Sequence, residues 1–128
     1  MIVDTSALLA VIFRESGYER IVERLQRADG AAAGSATLCE TGIVLQARLG
    51  PAGDGVLERM LDELAIDEIS FSSIHWREAL DAFRSFGKGR HGAALNFGDC
   101  MSYAVARLAG EPLLFVGDDF SKTDIDRA

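Results

Sequence analysis

Two cysteines, Cys39 and Cys100, are all that the 128 residues contain, too few for a disulfide-stapled scaffold. A reducing cytosol would keep both as thiols, and free cysteines are mostly small buried core residues. No apolar run reaches membrane-spanning length, and Met1-Ile2-Val3 meets Asp4 too early for a secretory leader. The expectation is a cytoplasmic protein with no membrane partner. Bases are also scarce: 13 lysines and arginines face 20 acids, a net charge of −7. A protein that coats nucleic acid needs the opposite balance. An enzyme that holds a few phosphates beside a cation does not. Repeats, low-complexity tracts and linkers are missing too, so residues 1–128 read as a single domain.

What is present is ordinary globular composition, 48% hydrophobic and 26% charged, enough for one core at this length. The pattern alternates short apolar runs with longer amphipathic ones. Residues 1–3 are expected as a buried strand ending at Asp4, with Thr5 or Ser6 capping a helix to residue 13 and a second helix over 17–25. A weak small-residue strand follows at 31–34, then a helix over 37–49 that stops at Gly50-Pro51, and a loop to Gly55. Further on come a helix at 56–64, a strand at 66–71, a helix at 73–86, a Gly-rich basic loop at 87–95, a helix at 97–108 and a last strand at 113–116. Strands and helices in alternation imply an α/β, three-layer fold: a central parallel sheet flanked by helices on both faces. In such folds ligands bind beyond the carboxyl ends of the strands.

That edge is where the acids gather. Asp4 follows the first strand, and Asp118 and Asp119 follow the last. Asp99 lies in the first turn of the helix opened by Asn96, and Glu40 in the first turn of a helix that reads as apolar nearly all round, hence buried. Each acid has a plain structural reading. Asp99 with Asn96 resembles a capping box, Asp4 can cap the first helix, Glu40 can pair with Arg48, and Asp118-Asp119 can be a simple turn. Their joint placement on one edge, without accompanying bases, points to chemistry. Clustered carboxylates repel one another unless a cation is present, and an all-oxygen donor set selects Mg²⁺ or Mn²⁺ over zinc. The matching reaction is in-line attack of water on a phosphodiester, with the cation stabilising the leaving oxygen.

At these residues the sequence resembles the PIN-domain nucleases and, within them, the VapC toxins. The opening Ile2-Val3-Asp4-Thr5-Ser6-Ala7-Leu8 resembles the family's first strand and acid, and Glu40 within Ser35-Ala36-Thr37-Leu38-Cys39-Glu40-Thr41 matches the second acid. Lys88-Gly89-Arg90-His91 followed by Leu95-Asn96-Phe97-Gly98-Asp99-Cys100 is similar to the loop and third acid of one VapC subgroup. The run from Pro112 to Phe120, with Thr123-Asp124-Ile125, is similar to that subgroup's C-terminal signature. Many members carry the last acid where this chain has Gly117, so the fourth role falls to Asp118 or Asp119, with Asp119 favoured because it directly precedes Phe120. The resemblance covers essentially the whole chain. It implies a toxin that cleaves structured RNA (tRNA or rRNA), with Asp4, Glu40, Asp99 and Asp119 as catalytic acids. Asp4 and Asp99 would bind the metal, with Glu40 and Asp118 or Asp119 as further candidates, and Thr5, Ser6 and Asn96 would support them. It also implies a homodimer and a small VapB-like antitoxin that blocks the site, in a heterotetramer or larger assembly.

The basic loop bears on the substrate: Lys88, Arg90 and His91 beside an acid-rich site suit contact with RNA phosphates. Trp76, Phe83 and Phe86, at helical spacing, read as core or dimer contact before base-stacking platform. Two other readings compete. An aspartyl-phosphate phosphotransferase wants a second acid two residues after Asp4, where Ser6 stands. A receiver-like phosphoacceptor module wants an acid pair at the first strand and a lysine after the last, for which Lys122 is the candidate.

Overall fold

Alternation along very short strands decides which helices cover which face of the sheet. The computed structural model describes residues 1–128. In chain order the elements are β1 (Ile2–Val3), α1 (Thr5–Ile12), α2 (Tyr18–Arg27), β2 (Ala31–Gly34), α3 (Ser35–Leu49), a 3₁₀ turn (Gly50–Gly53), α4 (Val56–Glu63), β3 (Ile66–Ile69), α5 (Ser73–Phe86), α6 (Phe97–Ala109) and β4 (Leu113–Leu114). The strands pair in parallel in the order β3-β2-β1-β4. Ile2, Leu113 and Phe115 point to one face and pack with Ala79, Ala82, Tyr103 and Val105 from α5 and α6. Val3, Leu114, Ala31 and Ala33 point to the other and pack with Leu8, Leu25 and Met60 from α1, α2 and α4. Helices therefore cover both faces, as the alternating pattern requires.

Strand β2 is built of alanines and a glycine because α6 lies close upon it. A Cβ on Gly34 would stand 2.8 Å from Val105 Cγ2. The chain steps from β1 to β2 to β3 in one direction, then returns to place β4 on the other side of β1. Strand order thus reverses between β1 and β4, the switch point at which open parallel sheets form a crevice. Asp4 sits there, its backbone N–H donating to Leu114 O at 3.0 Å. At the outer edge of β4 the C-terminal segment adds a parallel bridge, Leu113 to Arg127. Tyr103 holds that segment down, its hydroxyl donating to Asp124 at 2.6 Å.

Several expectations need correction. Neither Thr5 nor Ser6 caps α1; Asp4 does, its side chain accepting from the Ser6 backbone. The second helix starts after Gly17, whose φ of 88° turns the chain, and runs two residues longer than the pattern suggested, to Arg27. Helix α3 begins at Ser35, which moves Glu40 from the first turn to the second. Nor is α3 buried all round: Ile43 is 62% exposed and Cys39 lies open to solvent, so only Cys100 is a buried thiol. Strand β3 stops at Ile69, and β4 at Leu114, because the Val116 N–H bonds to the Ser6 hydroxyl instead of a neighbouring strand. No helix is long and apolar enough to cross a membrane.

Candidate active site

Asp4 leaves β1 with only 4% of its surface exposed. Its Oδ2 accepts from the Ser6 backbone at 2.9 Å and the Ser6 hydroxyl at 2.6 Å, and its Oδ1 accepts from the Ser102 hydroxyl at 2.6 Å. Oδ2 is thereby saturated, while Oδ1 keeps one acceptor lone pair. Ser6 does double duty, accepting from Val116 N–H at 3.0 Å and so tying the end of β4 to Asp4. Thr37 lies 3.0 Å from Ser102 and must donate to it, since the Ser102 proton is committed to Asp4. Thr5 points the other way, into a hydroxyl cluster with Thr37 O and Thr41. It braces α1 against α3 and does not touch the carboxylates.

Asp99 occupies the third position of α6. Asn96 and Asp99 form a reciprocal capping box: Asp99 N–H donates to Asn96 Oδ1 at 2.9 Å, and Asn96 N–H donates to Asp99 Oδ2 at 3.0 Å. The capping reading and the functional reading thus hold together, because the cap consumes Oδ2 and leaves Oδ1 free. Partial burial pushes the Asp99 carboxyl up to about 6, and the neighbouring charges of Asp4, Asp119 and Glu40 add to the rise, against the Asn96 N–H that favours the charged form. All four candidate acids therefore share one electrostatic neighbourhood.

Of Asp118 and Asp119, it is Asp119 whose charge adds to the rise of the Asp99 carboxyl. Both aspartates lie on the turn after β4, where Gly117 has a φ of 90°. That left-handed backbone suits glycine and disfavours any residue with a Cβ. Arg127 holds the turn from outside, donating to Gly117 O at 2.7 Å and Ser121 Oγ at 3.2 Å, with its guanidinium 4.0 Å from the Phe115 ring centroid. Glu40 approaches from α3 and lies against the backbone of Gly98, one residue before Asp99.

None of the ion pairs in the structure involves Asp4, Glu40, Asp99, Asp118 or Asp119, so no base neutralises the cluster. No three of the acids converge tightly enough to chelate an ion by themselves. The donor set fits a hard divalent cation that keeps several waters and takes one or two carboxylates directly, the manner in which Mg²⁺ is usually held. Asp4 Oδ1 and Asp99 Oδ1 each keep acceptor capacity that no group of the protein takes up. The phosphoacceptor reading lacks the second acid it needs beside β1, because Ser6 stands two residues after Asp4 and its hydroxyl is bonded to Asp4 Oδ2.

The loop before α6 is less free than its glycines suggested. Lys88 N–H donates to Leu95 O and Leu95 N–H to Phe86 O, each at 2.9 Å, closing its base. His91 Nδ1 accepts from Ala93 N–H at 3.0 Å and its ring meets the Phe86 edge, so it shapes the turn. Arg90 stacks 5.3 Å from the Phe83 ring centroid, and Lys88 is exposed and unpaired. Trp76 is half exposed and lines an apolar hollow with Leu80, Phe83, Phe97 and Met101, with Cys100 at its floor. Sequence reasoning missed Ser102 and Thr37. The signal for Ser102 was its place three residues after Asp99, on the same helix face.

Known proteins resemble this chain over nearly its whole length. The PIN domain family model matches residues 1–126. Ribonuclease VapC36 of Mycobacterium tuberculosis is 44% identical over 127 residues, covering 98% of this chain and 91% of the relative. Ribonuclease VapC30 of the same species is 40% identical over 125 residues, covering 98% and 95%. Among solved structures, M. tuberculosis VapC20, described as a sarcin-ricin loop cleaving toxin, superposes with a TM-score of 0.78 at 18% identity, covering 99% of this chain and 97% of that one. A VapBC2 complex from Rickettsia felis bound to a promoter DNA fragment superposes with a TM-score of 0.77 at 15% identity, covering 98% and 94%. The fold, the ordered acids and the near full-length identity agree: this chain belongs to the PIN-domain family, among its VapC ribonucleases.

Proposed function

We propose that this chain is the toxin of a toxin–antitoxin pair, a Mg²⁺-dependent endoribonuclease that cuts a structured RNA, tRNA or rRNA, in the cytoplasm and so stops translation. The observation that supports the reading is that Asp4, Asp119 and Glu40 lie near enough to Asp99 for their charges to raise its carboxyl, beside the sheet's switch point and with no base paired to any of them. In this reading Asp4 and Asp99 bind the cation and Glu40 and Asp119 complete the site, Asp119 preferred to Asp118 because its charge reaches Asp99. Mg²⁺, or Mn²⁺ in its place, would activate the attacking water and stabilise the leaving oxygen of the phosphodiester. Ser6 and Ser102 fix the orientation of Asp4, Asn96 fixes that of Asp99, and the turn held by Arg127 presents Asp119. The exposed apolar face of Trp76, Leu80 and Phe97 supports burial against protein, as in a homodimer or an antitoxin complex. An acidic pocket of this kind invites an antitoxin arginine that pairs with the carboxylates in place of the metal.

The direct test is to incubate the purified chain with total RNA in Mg²⁺ or in EDTA and sequence the new ends. A cut at one or a few sites in tRNA or rRNA, lost in EDTA, is the expected result. Intact RNA at every Mg²⁺ and Mn²⁺ concentration would remove the ribonuclease reading.

Lys88 and Arg90 separate RNA positioning from chemistry. Both are exposed on the loop that leads into Asn96 and Asp99, and neither is a Mg²⁺ ligand. Replacing both with Ala should raise KM and flatten its salt dependence by about two phosphate contacts. Single-turnover cleavage at saturating RNA should change far less. An unchanged salt slope assigns RNA contact elsewhere, with Arg48, Arg77 and Arg84 the next bases to replace and Lys122, beside Gly92, after them.

A further inference from the structure

We propose that Gly98 is a positioning residue for Glu40: its missing side chain is the space in which the Glu40 carboxylate reaches the mouth of the site. The inference rests on the reading that Glu40 belongs to the metal-dependent site. Glu40 makes no hydrogen bond and no ion pair, unlike Asp4 and Asp99, each of which is held by named donors. Packing alone therefore places it. A Cβ built on Gly98 would overlap Glu40 Oε2 and stand 2.6 Å from Cδ and 2.8 Å from Oε1. The whole carboxylate thus lies on the bare Cα of residue 98, at the second position of α6. The positive end of that helix favours a carboxylate at this spot. Helix geometry does not require glycine here: the residue has no positive φ, and alanine is the better helix former. Gly98 is itself buried, and the three atoms nearest an added methyl group all belong to Glu40, so Glu40 is the neighbour that must give way.

A double-mutant cycle of Gly98→Ala with Glu40→Ala isolates this role. Gly98→Ala alone should lower cleavage and Mn²⁺ affinity by about tenfold, the scale of lost support around a metal site. Adding Gly98→Ala to Glu40→Ala should change neither residual single-turnover cleavage nor Mn²⁺ affinity measured by calorimetry. Melting temperature gives an independent reading: Gly98→Ala should melt below the parent, whereas Glu40→Ala/Gly98→Ala should melt above Glu40→Ala, because the clash is gone and helix propensity remains. That comparison holds even where the single variant folds poorly. If Gly98→Ala cleaves at the parent rate, or costs the same factor in both backgrounds, Gly98 does not act through Glu40. If Glu40→Ala itself cleaves at the parent rate, it is the placement of Glu40 in the site that fails, and the inference falls with it.

Discussion

Asp99→Asn should lower Mg²⁺-dependent RNA cleavage by about a hundredfold or more while yielding a folded protein that, without metal, melts higher than the parent above pH 6. The two effects have one cause. Asparagine keeps the shape of the side chain, and its Oδ1 can still accept from Asn96 N–H, so the capping box survives. The charge is lost, and with it both a donor for a hard cation and the repulsion against Asp4, Asp119 and Glu40. The Asp99 carboxyl rises from 3.8 to about 6 in the folded protein. A carboxyl raised by folding binds its proton more tightly in the native state. The contribution of Asp99 to native stability is therefore greatest below pH 3.8, declines as pH rises toward 6, and stays at the lower level above it. Because the carboxyl is part-open to solvent, the penalty is discounted to about 1 kcal/mol. Thermal melts in EDTA should therefore separate parent and variant by a few degrees at pH 8 and bring them together at pH 4. Saturating Mg²⁺ should reverse the order at pH 8, since it stabilises only the protein that binds it. Parent-rate cleavage by Asp99→Asn in Mg²⁺ would remove Asp99 from the catalytic set.

The sheet and its carboxyl edge were legible because their signals are local. Ile2-Val3 before Asp4 and Leu113-Leu114 before the Gly117 turn are apolar runs that end in acids, and alternating elements force them parallel. Strand β2 was the faintest, since alanine carries little strand preference; what selects it is the tight approach of Val105, a contact that lies outside the local pattern. Helix α3 misled for the converse reason. Its composition is apolar all round, yet the fold covers one side and leaves Cys39 and Ile43 in solvent, a face that intrachain packing does not use. Asp4 and Asp99 stand out in sequence because each borders an element end and topology brings such ends together, whereas Glu40, in the second turn of α3, does not. Of the hydroxyls around Asp4, Ser6 stands out beside it in the sequence, while Ser102 and Thr37 do not. Ser102 and Thr37 look like any small polar residue in a helix, and their roles exist only through contacts spanning 98 and 65 residues.

Ser102→Ala should be the most disruptive small change in the protein outside the acids. The side chain is fully buried, donating to Asp4 Oδ1 at 2.6 Å and lying 3.0 Å from the Thr37 hydroxyl. Alanine fits the space but leaves a buried carboxylate oxygen and a buried hydroxyl without partners. A lost hydrogen bond to a charged, buried group costs about 2–3 kcal/mol, which corresponds to a fall in Tm of roughly 5–10 °C for a chain of this size. Stability alone would not distinguish a structural hydroxyl from a positioning one, so Thr41→Val serves as the comparison. Thr41 is as deeply buried and bonds to Thr37 O at 2.8 Å and Thr5 at 3.2 Å, but touches none of the acids. Both variants should melt early. Only Ser102→Ala should also lower kcat, by about tenfold, with KM for RNA little changed, because Asp4 then keeps its Ser6 contacts and loses the one that fixes Oδ1. Combining Ser102→Ala with Asp4→Asn should cost no more activity than Asp4→Asn alone, since a residue that acts through Asp4 has nothing left to position. Equal kcat for Ser102→Ala and Thr41→Val, measured on folded protein well below either Tm, would reduce Ser102 to a packing role and leave Ser6 as the group that orients Asp4.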